Sequence, residues 1–467
     1  MRDFLAPIAA AFLLVGCNTA PQYKVPNTPA PLAEYKETGP WTPARPADTA
    51  SRGAWWDIVN DSELDALVHR LEQNPPRLAV AIARMDQSMA VARRTRSALF
   101  PQIDVTGGAT RERVMDLTGE PVRRNAYNLG GAVSYELDLW GRVRNSVISG
   151  DAEAQASVYD LESVKLSLQA EVAENYLRLR GADSRIVLLR QTITAYQSAL
   201  DLTHRLFVGG ATTEADVSRA STQLGTAQSE LEQQLAERAL YEHAIAALLG
   251  EQPSAFAITP TKELPSPSPT PVSAPSELLQ RRPDIAAAER RVAAANARIG
   301  VARAAYFPSI TLGLSGGFAS TTNNLISAGS KVWALGPAAA LLPVFDGGSR
   351  KAEVKRSQGE FEQASAEYRQ TVLDAFRNVE DQLTLTNRLA NASDKQRGAA
   401  QAAARADEII ERQYRGGAVD YLQVVTAQIA HLQSQEALID IETRRLIASI
   451  DLVRELGGDW KPPANDS

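Results

Sequence analysis

The chain repeats itself at a fixed spacing of 207 residues, and this constrains its fold more than any other feature. Phe100-Pro101-Gln102-Ile103 returns as Phe307-Pro308-Ser309-Ile310, and Gly141 as Gly348. Phe207-Val208-Gly209-Gly210-Ala211 returns as Tyr414-Arg415-Gly416-Gly417-Ala418, and Leu249-Gly250 as Leu456-Gly457. Landmarks in constant register argue for duplication, and a unit this long is far beyond the 20–50-residue period of solenoids. Each copy is therefore a structural lobe. Prolines punctuate the halves. Seven lie between Pro21 and Pro46, a stretch that stays extended and cannot pack as a helix. A second cluster, Pro253 to Pro275, reads as the linker between the copies.

Within each copy the hydrophobic period changes in the same order. Residues 75–98 read as helix, 101–111 and 126–139 alternate with period two, and 142–206 and 213–250 are helical. The second copy repeats this with helix 283–305, strands 308–318 and 332–345, and helices 347–413 and 418–457. Tyr127, Leu129, Gly131, Val133, Tyr135, Leu137 and Leu139 point one way, and Asn128, Gly130, Ala132, Ser134, Glu136 and Asp138 the other. Ile310, Leu312, Leu314 and Phe318 likewise oppose Ser309, Thr311, Gly313 and Ser315. This is the pattern of a membrane-barrel strand, apolar to lipid and polar to lumen. It also fits a soluble sheet with one wet face. Pro337 marks its strand as an edge or a bulge. Helix 142–206 carries a heptad seam from Val158 to Phe207, apolar at twelve of fifteen positions.

The lengths imply a shape. At 1.5 Å per residue, helix 142–206 spans roughly 98 Å and helix 347–413 roughly 100 Å. The two shorter helices of each copy sum to nearly the same, so the expectation is a rod with a β-hairpin at one end and a Gly-Gly turn at the other. Four strands cannot close a membrane barrel, since the smallest have about eight. An open edge in lipid leaves backbone groups unsatisfied. If these strands lie in a membrane, the chain must oligomerise.

The N-terminus supports a membrane setting. Met1-Arg2-Asp3 precedes an apolar run from Phe4 to Val15, too short to span a bilayer and right for a secretory leader. It ends in Leu14-Val15-Gly16-Cys17, which resembles the bacterial lipobox, and Cys17 is the single cysteine of the chain. That resemblance implies an N-acyl, S-diacylglyceryl cysteine as residue one of the mature protein. Asn18 is not the aspartate that resembles an inner-membrane retention signal, so delivery to the outer membrane is expected. The expected organisation is a signal peptide (1–16), a lipidated tether (17–54), a first repeat (55–252, hairpin 101–139), a linker (253–276), a second repeat (277–458, hairpin 308–345) and a tail (459–467).

Other functions are excluded by what the chain lacks. Lys+Arg 49 against Asp+Glu 55 leaves a net charge of −6 and no basic footprint for nucleic acid. One cysteine rules out an internal disulfide framework and a cysteine-based zinc cluster. His69, His204, His243 and His431 have no ligand spacing. There is no phosphate loop, no His-Glu-x-x-His and no Gly-x-Ser-x-Gly, so no enzyme and no cofactor is expected.

Several motifs together resemble the TolC/OprM-like outer membrane factor family, in its NodT-type efflux lipoprotein branch. They are Cys17, Trp55-Trp56, Tyr135-Glu136-Leu137-Asp138-Leu139-Trp140-Gly141-Arg142, Leu278-Leu279-Gln280-Arg281-Arg282-Pro283-Asp284-Ile285, Pro343-Val344-Phe345-Asp346-Gly347-Gly348 and Tyr414-Arg415-Gly416-Gly417-Ala418. The resemblance implies a mixed α/β membrane protein. Each chain of a homotrimer would give four strands to a 12-stranded outer membrane β-barrel and its helices to a long α-helical periplasmic barrel. It implies an exit duct of a tripartite efflux system, partnered by a periplasmic adaptor, outer membrane lipid and an inner membrane transporter, for which the RND type is expected.

The resemblance also places sites. Adaptor hairpins would dock at the tips Gly209-Gly210-Ala211 and Gly416-Gly417-Ala418. A periplasmic gate would fall at Tyr414, Arg415 and Leu422, with Arg415 tying neighbouring helices; Thr426 departs from the family pattern, which puts an acidic ring there in doubt. The residues alone also allow plainer readings. The glycines are turn residues, and Arg412 and Arg415 form a solvated face near a helix C-terminus. Glu136 and Asp138 line the lumen or simply a wet wall, and Arg281 and Arg282 pair locally ahead of a helix starting at Pro283. A helical lipoprotein spacer without a pore stays the competing function, and the alternating strands argue against it.

Overall fold

The computed structural model describes residues 18–28, 35–36, 42–43, 55–73, 75–115, 119–261, 264–265, 271–272, 282–321, 326 and 331–458. Cys17 and its leader, most of the proline-rich tether and linker, Leu278 to Arg281, and the tail from 459 lie outside them. The elements run α1 (Ser62–Gln73), α2 (Pro76–Arg96), β1 (Gln102–Met115), β2 (Pro121–Leu137), α3 (Arg142–Val208) and α4 (Glu214–Leu249). Then follow α5 (Pro283–Ala304), β3 (Ser309–Ser320), β4 (Lys331–Leu341), α6 (Ser349–Arg415) and α7 (Tyr421–Glu455). Helix, hairpin, long helix and shorter helix thus occur twice, in the order the periods predict.

Three boundaries differ from the sequence reading, each for a local reason. Helix α1 was not anticipated, although Leu64, Leu67, Val68 and Leu71 recur at helical spacing and all are buried. Asp61 starts it, its Oδ1 accepting from Glu63 N at 2.9 Å and Leu64 N at 3.2 Å. The strands of the first hairpin run further into its turn than 111 and 126, paired from Gln102↔Ser134 to Met115↔Pro121. Strand β4 stops at Leu341, short of residue 345, because Pro343 cannot donate to a ladder.

Backbone geometry preserves the duplication. Gly141 and Gly348, Gly210 and Gly417, and Gly250 and Gly457 are all at positive φ. At the first Gly-Gly turn Ala211 N donates to Leu206 O at 2.8 Å and Gly210 N to Phe207 O at 2.9 Å. At the second, Ala418 N donates to Gln413 O and Gly417 N to Tyr414 O, both at 2.9 Å. Both are Schellman endings, which need a residue in the left-handed region at C′.

The chain forms two compact units. One gathers the residues up to Thr28, Arg84–Val158 and Ala287–Gln370 and holds the strands. All four strands form one antiparallel sheet in the order β1-β2-β3-β4. The two hairpins join edge to edge, with Leu129 opposite Phe318, Val133 opposite Leu314 and Leu137 opposite Ile310. Strand β4 is an edge and carries the bulge Pro337 announced. Leu312 faces Ala338 and Leu314 faces Leu335, so Gly336 and Pro337 together oppose Gly313.

The extended segment after Cys17 is held in this unit rather than hanging free. Thr19 Oγ1 donates to Gly300 O at 2.8 Å, or to Trp140 O at 3.1 Å. Asn145 Nδ2 donates to Asn18 Oδ1 at 3.0 Å, Asn296 Nδ2 to Pro21 O at 2.9 Å and Arg369 Nε to Asn27 O at 3.0 Å.

The other unit holds Pro29–Ala83, Tyr159–Ala286 and the chain from Thr371. Its core packs Trp55, Trp56 and the leucines of α1 against Leu168, Val172, Tyr176, Leu177 and Leu179 of α3. Ile245 and Leu249 of α4 and Leu446, Ile450 and Val453 of α7 complete it. Each such aliphatic side chain contributes roughly 1.5–3 kcal/mol on burial. The heptad seam of α3 is buried at Leu168, Val172, Leu179, Ala182, Ile186, Leu189, Tyr196 and Thr203.

Candidate functional site

The strand sheet is the first functional feature. Register puts Ile103, Val105, Leu129, Val133, Tyr135, Leu312, Leu314, Trp333 and Leu335 on one face. Among the described residues the outer strands are bare there: Ile103 is 73% exposed, Val105 76%, Trp333 80% and Leu335 81%. The opposite face carries Asp104, Thr106, Asn128, Ser134, Thr311 and Ser315. Among the described residues, β1 and β4 pair on one side only. An apolar face bordered by two unpaired edges is incomplete in water and in lipid alike. Glycines narrow the sheet centre: a Cβ on Gly317 would come within 2.3 Å of Leu129 O.

The hairpin bases are built from the resemblance motifs. Trp140 Nε1 donates to Pro308 O at 2.8 Å, and its ring stacks on Phe307 with centroids 4.7 Å apart, tying the first hairpin to the second. Glu136 does not stand as a free luminal charge. Arg142 donates to its two oxygens at 2.7 Å and 2.5 Å. Asp138 is engaged too, accepting from Val143 N at 2.9 Å and Arg144 N at 2.8 Å at the start of α3. Asp346 plays the same part before α6. Its bond from Arg350 Nε at 2.6 Å, with Arg350 N and Gly348 N, holds its carboxyl down at about 2.

Arg282 pairs locally, as expected, and also at long range. It donates to both oxygens of Asp284 and, through Nη1, to Glu455 Oε2 at 2.6 Å and Glu455 O at 3.0 Å. These charges hold the guanidinium protonated against the cost of its burial.

The helix tips lie in the second unit. Gly209, Gly210 and Ala211 and Gly416, Gly417 and Ala418 are exposed. The capping box at Thr213 is present, and Asp216, bonded by Thr212, Thr213 and Arg219, has its carboxyl lowered. Tyr414 is half-buried. Its hydroxyl is 3.4 Å from Thr203 Oγ1, and its ring lies 5.4 Å from that of Tyr421. Arg415 Nη2 donates to Glu411 Oε1, one turn earlier on α6, at 2.5 Å. Leu422 is 52% exposed, and Thr426 donates back to Leu422 O at 2.8 Å. Sequence reasoning missed Tyr421, which is 2% exposed and packs with Ala220 and Val424. Asp420 caps α7 just before it, accepting from Gln423 N at 3.1 Å.

A duplicated helical protein with a four-stranded sheet, edges open and apolar face bare, is a subunit of a membrane channel. The sequence pattern of the outer membrane efflux protein family matches residues 67–251 and 274–458, one stretch per repeat. The chain belongs to that family and is an efflux channel protein of the cell outer membrane. It is 32% identical over 466 residues to the probable efflux pump outer membrane protein TtgC of Pseudomonas putida, covering 98% of this chain and 96% of that one. It is 28% identical to the probable outer membrane lipoprotein SilC of Salmonella typhimurium, over 98% of both chains. Its fold superposes on the outer-membrane channel OprN with a TM-score of 0.90 and 29% identity, covering 96% of this chain and all of the other.

Proposed function

We propose that three copies of this chain close one pore. Twelve strands would complete the ring that four leave open, each β1 edge pairing with a neighbour's β4. The observation carrying this is the bare apolar face between two unpaired edges. Transport through such a duct is passive. The sequence carries no phosphate-loop motif, and energy would come from an inner membrane transporter, of the RND type, through a periplasmic adaptor. The names of TtgC and its like, as parts of efflux pumps, support such an assembly.

The tips divide the remaining work. The exposed Gly209-Gly210-Ala211 and Gly416-Gly417-Ala418 turns are small enough for an adaptor hairpin to approach closely. Tyr414 and Leu422, with Arg415 beside them, stand where α6 gives way to α7 and form the gate. Cys17 carries the lipid. A single acyl chain binds a bilayer reversibly and two or more bind stably, and the lipoprotein name of SilC agrees with such an anchor. The test is native mass spectrometry of the gently extracted protein with planar-bilayer recording. A trimer bearing acyl mass that conducts is expected; an unacylated, non-conducting monomer would overturn the proposal.

A further inference from the structure

The helical unit holds a cavity that neither the sheet nor the tips use. It measures about 560 Å³ and lies between α4 and α7, with Tyr196 of α3 at its back. Val425 and Ile429 make it apolar on one side, Glu230 and Glu436 face it from α4 and α7, and Arg219, also in its lining, is paired with Asp216 at 3.0 Å. Two buried polar groups in its wall are left without partners. Tyr196 is 4% exposed and its hydroxyl makes no hydrogen bond. Gln223 is 8% exposed; its Nε2 donates to Gln428 Oε1 at 3.2 Å, while its own Oε1 accepts nothing. Burial pushes the Tyr196 hydroxyl up, and the nearby Gln223 amide opposes this from outside hydrogen-bond geometry. A buried acceptor left unpaired costs about 1–3 kcal/mol, which a donor-bearing guest would relieve.

The carboxylates select the sign of that guest. Burial pushes the Glu436 carboxyl up and the nearby Glu230 adds to it. Arg185 eases the charge, but its hydrogen bond goes to Asp440 at 3.1 Å. Two like charges beside an apolar wall favour a cation between them. A cavity of this size falls within the ~300–1,000 Å³ range of small-molecule sites.

We propose that this cavity binds an amphipathic organic amine, its ammonium group between Glu230 and Glu436 and its apolar body against Val425 and Ile429, with Tyr196 and Gln223 as neutral acceptors. The test titrates the assembled full-length protein, held in amphipol, with dansylcadaverine, a fluorescent primary amine, and with a dansyl analogue lacking the amine. Saturable binding of the amine is expected, about tenfold tighter than that of the neutral analogue, as a charge-assisted contact requires. In the unsubstituted protein n-octylamine should displace the probe and n-octanol should not. Glu436→Gln and Glu230→Gln should each weaken the amine about tenfold and leave the neutral analogue unchanged. Glu353→Gln, on an exposed pair of α6, should change nothing. Absence of saturable binding, which a second copy covering the cavity would produce, overturns the proposal. So does equal binding of the two probes, or indifference to both glutamate substitutions.

Discussion

One guanidinium joins the start of α5 to the end of α7, and removing it is the sharpest test of the second repeat's design. Arg282 makes four hydrogen bonds, two to Asp284, one to the Glu455 carboxylate and one to the Glu455 carbonyl. Its side chain is 12% exposed, that of Glu455 8% and that of Asp284 32%. Breaking a buried pair from one side costs about 3–5 kcal/mol, because the partner charge stays in a poorly solvating place. Two features pull the figure to the low end. Glu455 keeps Arg454, whose Nη2 donates to its Oε1 at 3.1 Å, and Asn378, whose Nδ2 donates to Oε2 at 3.2 Å. Asp284 is also wet enough to rehydrate. The expected loss for Arg282→Gln is therefore about 3 kcal/mol.

The assay is denaturant unfolding of the detergent-solubilised protein followed by helical circular dichroism, at fixed protein concentration because assembly shifts apparent stability. Arg282→Gln should lower the midpoint strongly, and adding Glu455→Gln should recover part of the loss, since no lone carboxylate then remains. Arg356→Gln, on an exposed turn of α6 where Arg356 pairs with Glu353 and Glu360, should leave the midpoint in place. If Arg282→Gln behaves like Arg356→Gln, the motif does not act as a clasp and the reasoning is wrong.

Three other outcomes follow from the geometry. Gly417→Val and Gly210→Val, at φ +72 and +73, should each cost about 1–2 kcal/mol in the same unfolding assay, whereas Gly398→Ala, with open space where a Cβ would sit, should not destabilise α6. Burial raises the Asp451 carboxyl to about 7, with Arg454 opposing and Glu174 adding to the rise. The folded state thus holds this proton where the unfolded chain has lost it, so the group's contribution falls as pH climbs from about 4 to about 7. Asp451→Asn should flatten that decline, and an unchanged slope counts against the assignment. Trp140→Phe removes the bond to Pro308 O while keeping the ring stack, and should lower the temperature at which the sheet loses protection from proteolysis; no change means the stack alone holds the hairpins together.

Much of this fold is readable before any coordinates because the duplication is written in backbone constraints. A turn that needs positive φ accepts glycine and little else, so Gly141, Gly210 and Gly250 reappear as Gly348, Gly417 and Gly457. Strands are legible for a related reason: two faces in different surroundings keep apolar and polar residues alternating, and β2 shows it from Tyr127 to Leu137. What escaped reading depends on contacts with no period. That β2 pairs β3 across the repeat boundary follows from a register no local pattern encodes. The strap Asn18–Thr28 is held through single side chains bonding carbonyls, and such bonds recur at no spacing. Glu136 and Asp138 read as lining a lumen or a wet wall, and their partners, Arg142 and Arg144, lie around a turn whose geometry spacing alone does not reveal.

The proposed gate illustrates how far the symmetry itself can guide. At the first tip the positions 207 residues before Tyr414, Arg415, Tyr421 and Leu422 hold Phe207, Val208, Glu214 and Ala215. The backbone turns match bond for bond, so the fold does not require aromatic and charged residues at the second tip. Those residues must answer to something the first tip lacks. Tyr421 against Tyr414, with Thr203 of α3 behind them, fixes where α6 and α7 sit on the neighbouring helix. Leu422, one position further, is left facing outward. On the proposed function, one tip would rest on a partner and the other would close, and identical tips would serve only one of these contacts.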